Sequence, residues 1–252
     1  MKAILFILVI SATLTCNFTQ LHPDGAYELI SASYGDSSLG RENVETKTIK
    51  AYKNGFWISA TSFAYSKITF GNAMGGTYVL RDGKCMEKVS FSSEDSSLIG
   101  KTFSFDYKLS GEQYSQNRKF EYKNKQYEVV EKYKRIIGNA ELDDSSLEGV
   151  WERKKGEWNG QESEDPDFYS FKIFSYPIFI WAQYHLKDKD FIGVGGGRYQ
   201  FNGKRLIEHL EYLSYGPIVP SDIEIDILKF TADSIQQETT DKVLKEAWKK
   251  IR

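Results

Sequence analysis

Two glutamates sit where a carboxylate is expensive to place. Residues two apart on a strand share a face, so Leu206, Glu208, Leu210 and Tyr212 fall together, as do Cys85, Glu87, Val89 and Phe91. Each series puts one carboxylate on an otherwise apolar face, which in a closed sheet points inward. A buried carboxylate needs a cationic or hydrogen-bonding partner, or its pKa rises. Three kinds of chemistry fit Glu87 and Glu208. One is an internal ion pair with a Lys or Arg, or a hydrogen bond to an interior Tyr. Another is a polar anchor for a ligand inside an apolar cavity. The third is a general acid or base, for which no nucleophile, metal set or second catalytic group accompanies either residue. His209 falls on the opposite face beside Glu211 and reads as a surface residue.

Other chemistry-bearing patterns do not hold. Gly100-Lys101-Thr102 shares the tail of a phosphate-binding loop, but Asp95 stands where its first glycine belongs, and FSFDYKL then alternates like a strand. Gly193-Val194-Gly195-Gly196-Gly197 leads into alternating Tyr199 and Phe201, so its glycines are expected to form a bulge or bend. Gly35-Asp36-Ser37-Ser38-Leu39 resembles a nucleophile block but lacks a downstream Asp-His pair, which leaves a Ser/Gly loop. His22, His185 and His209 are far apart, and Asp165 and Asp167 around Pro166 lack the remaining ligands of a calcium loop. No metal or cofactor is therefore expected.

The elements that must position these residues are strands. The chain has 252 residues, 16 Tyr, 16 Phe and 5 Trp, a composition suited to pleated, half-buried surfaces. An internal repeat fixes the organisation. Gly75-Gly76-Thr77-Tyr78-Val79-Leu80 matches Gly196-Gly197-Arg198-Tyr199-Gln200-Phe201, and the match runs on to Glu87–Phe91 against Glu208–Tyr212. Gly25-Ala26-Tyr27-Glu28 pairs with Gly149-Val150-Trp151-Glu152, and the stretch ending at Ile136 with the one ending at Ile251. Period-2 alternation dominates, as in Phe103, Phe105, Tyr107 and Leu109 or Ile223, Ile225 and Ile227. Asp82-Gly83 and Asn202-Gly203 mark hairpins. Ile173–Ala182, the most apolar internal run, has the length of one strand. Asp241–Lys249 could make two helical turns, but the repeat places a strand there. The expectation is an all-β chain of two tandem antiparallel up-and-down barrels, about eight strands each, at 21–137 and 147–252, with linker 138–146.

The Gly-x-Trp/Tyr opening, the up-and-down strands and the basic residue on the last strand resemble the lipocalin or calycin pattern of exported bacterial proteins. The resemblance covers nearly the whole mature chain and is almost silent on ligand. It implies that Trp151 packs under Lys250, and Tyr27 under Arg135, in a cation–π arrangement that plugs each barrel base.

Met1–Leu14, MKAILFILVISATL, has the charged start and short apolar run of a secretory leader, giving a signal segment at 1–20. Cleavage near Gln20 would release a soluble protein, secreted or periplasmic. Cys16 would instead begin a lipid-anchored form, although Thr13-Leu14-Thr15 is a poor lipidation signal. Asn17-Phe18-Thr19 is a glycosylation sequon at this junction, to which no role is given. With only Cys16 and Cys85 there is no disulfide framework, and a formal net charge of −2 gives no electrostatic footprint for nucleic acid. The leading functional expectation is non-enzymatic binding of a small apolar or amphipathic molecule, with Tyr78, Glu87, Phe103, Phe105, Tyr199, Phe201, Glu208 and Ile225 as candidate lining residues. The rival is an interaction module at the cell envelope whose barrels are packed solid, since an eight-stranded interior is just wide enough for either.

Overall fold

The structure is a computed structural model that describes residues 21–34, 37–39, 45–64, 68–122, 125–139, 145–162, 165–215 and 221–251. The leader, Cys16, the sequon at Asn17 and residues 140–144 of the linker lie outside the described residues. The first sheet holds β1 (Gly25–Tyr34), β2 (Ser37–Leu39), β3 (Glu45–Lys53), β4 (Phe56–Ala64), β5 (Ile68–Arg81), β6 (Lys84–Ser92), β7 (Thr102–Ser110), β8 (Gln113–Tyr122) and β9 (Lys125–Arg135). The second holds β10 (Gly149–Trp158), β11 (Gln161–Glu162), β12 (Phe168–Ser175), β13 (Ile178–His185), β14 (Phe191–Phe201), β15 (Arg205–Leu213), β16 (Ser221–Phe230), β17 (Ser234–Thr239) and β18 (Leu244–Lys250). Leaving aside short β2 and β11, eight antiparallel strands run in sequence order in each sheet, and β1–β9 and β10–β18 pairing closes both into barrels. Residues 37–39, expected as a Ser/Gly loop, instead form β2, whose backbone pairs with Ala32–Tyr34. The stretch 241–249 follows the repeat and enters strand β18.

The Asp82-Gly83 turn shows why turn residues stand where they do. Asp82 and Gly83 have φ of 51° and 77°, the left-handed region that glycine and short polar residues tolerate. In barrel two Lys250 lies 5.0 Å over the Trp151 ring, whose Nε1 donates to the Leu147 carbonyl at 2.8 Å. In barrel one Tyr27 stands opposite Arg135 in the β1–β9 ladder.

The strand parity holds for both glutamates and then inverts. Gly75 faces Phe91 and Gly76 faces Val89, so Ser90 is an extra residue; Gly196 faces Tyr212 and Gly197 faces Leu210, so Glu211 is extra. These are β-bulges, and they demand glycine. A Cβ on Gly76 or Gly197 would lie 2.1 or 2.0 Å from the backbone oxygen of Lys88 or His209. Beyond each bulge the alternation changes phase. Phe91 and Tyr212 therefore do not share the inward face with Glu87 and Glu208, as their spacing implied. They turn outward into a hydrophobic core between the barrels.

That core explains the most apolar stretch of the sequence. The outer faces of β3, β4 and β5 pack on those of β12, β13 and β15. Ile49, Ala51, Ile58 and Ala60 meet Val150, Ile173, Ile180 and Ala182 in one cluster, and Phe91 stacks on Tyr184 with ring centroids 5.4 Å apart. Ion pairs Lys47–Glu211 and Lys53–Glu148 join the barrels at its margin. Strands covered on both faces read as continuous apolar runs. Ile173–Ala182 is consequently not one strand. It is the end of β12 and the start of β13, joined by a turn at Tyr176 and Pro177 and paired from Ser175–Ile178 outward.

Candidate functional site

Each barrel carries a buried cross-barrel ion pair at the same register. In barrel one the Lys50 Nζ stands 2.8 Å from Glu87 Oε1, and in barrel two the Lys172 Nζ stands 2.6 Å from Glu208 Oε1. Glu87 and Glu208 are 1% and 3% exposed, so both point inward as the alternation required. Both lysines are opposed in the ladder to the opening aromatic, Lys50 to Tyr27 and Lys172 to Trp151. Lys50 lies 5.0 Å over Trp57, and Lys172 lies 5.1 Å over Trp248. A second carboxylate of the repeat stands nearby. The Gln116 amide donates to Glu131, and Gln237 Nε2 donates to Glu246 Oε2 at 2.9 Å.

The surroundings of the two pairs differ. In barrel one the hydroxyl of Tyr52 donates to Glu87 and lies 3.1 Å from that of Tyr114, which donates to Gln116 at 3.0 Å. Tyr133 donates to Glu131 at 3.2 Å. Burial and the neighbouring carboxylates hold the phenols of Tyr52, Tyr114 and Tyr133 well above their ordinary value, so they stay neutral donors. Burial likewise pushes the Cys85 thiol up to about 12, which makes it a small buried hydrophobe and not a nucleophile. Above this layer the Arg118 guanidinium lies 4.7 Å over Phe103 and 5.8 Å over Phe105. Tyr78 packs in the same cluster and donates to Asp24 Oδ1 at 2.5 Å.

In barrel two, smaller residues stand at many of those positions. Register places Phe179 at Trp57, Ile223 at Phe103, Ile225 at Phe105, Ile235 at Tyr114 and Thr239 at Arg118. A cavity of about 410 Å³ opens inside the barrel. Lys172, Glu208, Glu246 and Trp248 line it, together with Arg153, Leu210, Ile223 and Ile225. Towards the open end it is lined by Trp158, Phe168, Trp181, Leu213, Tyr215 and Leu244. The glycine run shapes this wall. A Cβ on Gly193 would lie 2.1 Å from the Tyr215 ring, and one on Gly195 would lie 2.5 Å from the Trp181 ring. Both rings can therefore lie flat on β14, 6.0 Å apart, with the Tyr215 hydroxyl donating to Gln183 at 2.9 Å. Burial pushes the Tyr215 phenol up to about 12, against the lowering influence of Arg153. Burial also holds the Glu208 carboxyl above its ordinary 4.5, opposed by Lys172 and reinforced by Glu246.

Of the eight residues singled out from sequence, Glu208 and Ile225 line this cavity. Tyr199 and Phe201 belong to the packed cluster around it, and Tyr78, Glu87, Phe103 and Phe105 belong to barrel one. Sequence reasoning did not single out Lys50, Lys172, Gln116, Gln237 or Arg153, and Glu131 and Glu246 entered it only within the repeat and not as site residues. The repeat held a signal for the lysines, because Lys50-Ala51-Tyr52 aligns with Lys172-Ile173-Phe174 and sets a lysine in an apolar run twice.

No protein-family model and no curated protein matches the chain. Among solved structures it is similar to the uncharacterized protein YLR301w from Saccharomyces cerevisiae, with a TM-score of 0.52 at 11% identity over 92% of this chain and 99% of that one. A protein of unknown function from the DUF3598 family of Nostoc punctiforme PCC 73102 aligns over 91% and 96% of the two chains at 9% identity, with a TM-score of 0.27. The first likeness concerns the fold alone, and the second is too low in score to bear on it.

Proposed function

We propose that this chain is an exported, lipocalin-like binding protein that holds a small amphipathic molecule inside barrel two. The observation that carries the reading is the cavity of about 410 Å³, whose walls are mainly apolar and aromatic and whose inner end presents Lys172, Glu208, Arg153 and Glu246. Small-molecule sites are of this kind, with a volume of about 300–1,000 Å³, apolar lining and a few convergent polar groups. The paired charges keep the inner end polar without leaving a bare ion in the barrel. Barrel one, with tyrosine and arginine where barrel two has isoleucine and threonine, acts in this reading as the structural partner that covers one wall of the binding barrel. The leader-like Met1–Leu14 supports the exported location, and N-terminal sequencing of native protein tests it: an intact Met1 on cytosolic material refutes export.

The binding test is a titration of the full mature chain with an environment-sensitive apolar dye, following Trp fluorescence. Trp158, Trp181 and Trp248 all line the cavity, so the expected result is saturable quenching at one site per chain. Leu210→Trp, which fills the cavity, abolishes it while the fold persists by circular dichroism. Equal dye binding by wild type and the filled variant would refute the assignment.

A further inference from the structure

Resting on that reading and deepening it, we infer that the ligand of barrel two is an amphipathic organic monoanion. Its charged head meets the Arg153 guanidinium, and its apolar body extends toward Trp158 and Tyr215.

The four charged side chains of the cavity are unequally engaged. Lys172 and Glu208 close on each other at 2.6 Å, with side chains 6% and 5% exposed. Glu246 accepts from Gln237 at 2.9 Å and from the Trp248 indole at 3.0 Å, both on Oε2. Arg153 reaches Glu246 Oε1 only at 3.4 Å, through one nitrogen. A close charged pair sits at about 2.7–2.9 Å, and arginine has five N–H donors in a planar fork. Among the described residues, that long contact is the polar partner of Arg153, so most of its fork is left for something else in the cavity that it lines.

Packing holds the guanidinium in place. Its carbon lies 4.3 Å over the Phe168 ring. The β10–β18 register shifts between Arg153 and Lys155, and a Cβ on Gly156 would lie 2.8 Å from the guanidinium carbon. A bulge and a bare backbone thus make the seat for this side chain. The barrel fold does not need the charge, because register puts Leu29 at the same place in barrel one. The surrounding charges set the valence of the ligand. A cationic head would meet Arg153 and Lys172. A second negative charge would meet Glu208 and Glu246. Phe168, Trp181, Leu213 and Leu244 suit an apolar body.

The experiment is calorimetric titration of the full mature chain with octanoate, octanol, octylammonium and octyl phosphate. A charge-assisted hydrogen bond corresponds to about ten- to a hundredfold in affinity. Octanoate is expected to bind at least about tenfold more tightly than octanol, octylammonium or octyl phosphate. Arg153→Gln removes that preference, read as the ratio of octanoate to octanol affinity measured on the same variant. Arg153→Lys, which keeps the charge beside Glu246 but not the fork, retains part of it and serves if Arg153→Gln does not fold. Equal affinity for octanol and octanoate, or a preference that survives Arg153→Gln, overturns the inference while the binding barrel stands. Tighter binding of octyl phosphate overturns the single-charge assignment. If none of the four binds, the cavity reading itself fails.

Discussion

Barrels one and two are built on the same plan and differ in what fills them. Both close eight strands, place a glycine bulge at the same register and bury a Lys–Glu pair beneath an aromatic ring. In barrel one the pair is surrounded by phenols, and Phe103, Phe105 and Arg118 stack above it. In barrel two isoleucines and a threonine replace them, and Ile223 and Ile225 line the cavity. One larger residue of barrel two, Trp181, is accommodated by exchange. Ser59 faces Met74 where Trp181 faces Gly195, so the bulk moves from one strand to its neighbour. An eight-stranded interior lies at the margin between filled and open. Side chains at a few register positions therefore shape how such an interior is lined.

The largest effect that tests this comparison is removal of the buried cation. Lys172→Met leaves Glu208 enclosed without its partner and is expected to lower stability by about 3–5 kcal/mol near neutral pH, read from urea unfolding. Lys50→Met is expected to be milder, because Tyr52 still donates to Glu87. Equal losses would mean that the tyrosine cage of barrel one contributes nothing to its carboxylate.

Next is the shared core. Phe91→Ala is expected to lower stability by about 3 kcal/mol, since Phe91 stacks on Tyr184 and Phe191 of the other barrel. Proteolysis within 140–144 should then release separable halves from the variant, whereas the nicked wild type co-elutes on gel filtration. Separation of the wild-type halves would show that the barrels are independent modules.

Converting barrel two toward barrel one is a smaller change in stability with a large change in binding. Ile225→Phe supplies the ring that barrel one has at Phe105 and grows into the cavity, so stability should stay within about 1.5 kcal/mol of wild type. Dye binding should be lost. Retained binding would place the ligand elsewhere.

The smallest effect is on pH dependence. The Glu208 carboxyl is raised above its ordinary 4.5 in the folded chain, by burial first, so its protonated form favours folding. Its contribution is present below the ordinary carboxylate range and is lost as pH rises through the raised value. The melting temperature of Glu208→Gln should therefore gain on wild type as pH rises from acid toward neutrality. A variant that loses ground to wild type as pH rises would reverse the sign assigned to the carboxyl.

Much of this architecture was legible in sequence because it is local. Strand alternation, the Asp-Gly and Asn-Gly turns and the repeat gave two barrels, and parity alone turned Glu87 and Glu208 inward. The neighbouring glycines marked the bulges, but not the residue at which each changes the phase, so Phe91 and Tyr212 were assigned to the wrong face. The run Ile173–Ala182 hid a hairpin, because a strand buried on both sides has no alternation to read. What only the tertiary structure decided is which groups meet across the barrel and how much room they leave. Lys172 is 36 residues from Glu208, and Arg153 is 93 from Glu246. Their encounter depends on closure and register around the whole sheet. The cavity depends on the summed volumes of side chains from strands far apart in the chain, a quantity that no single strand carries.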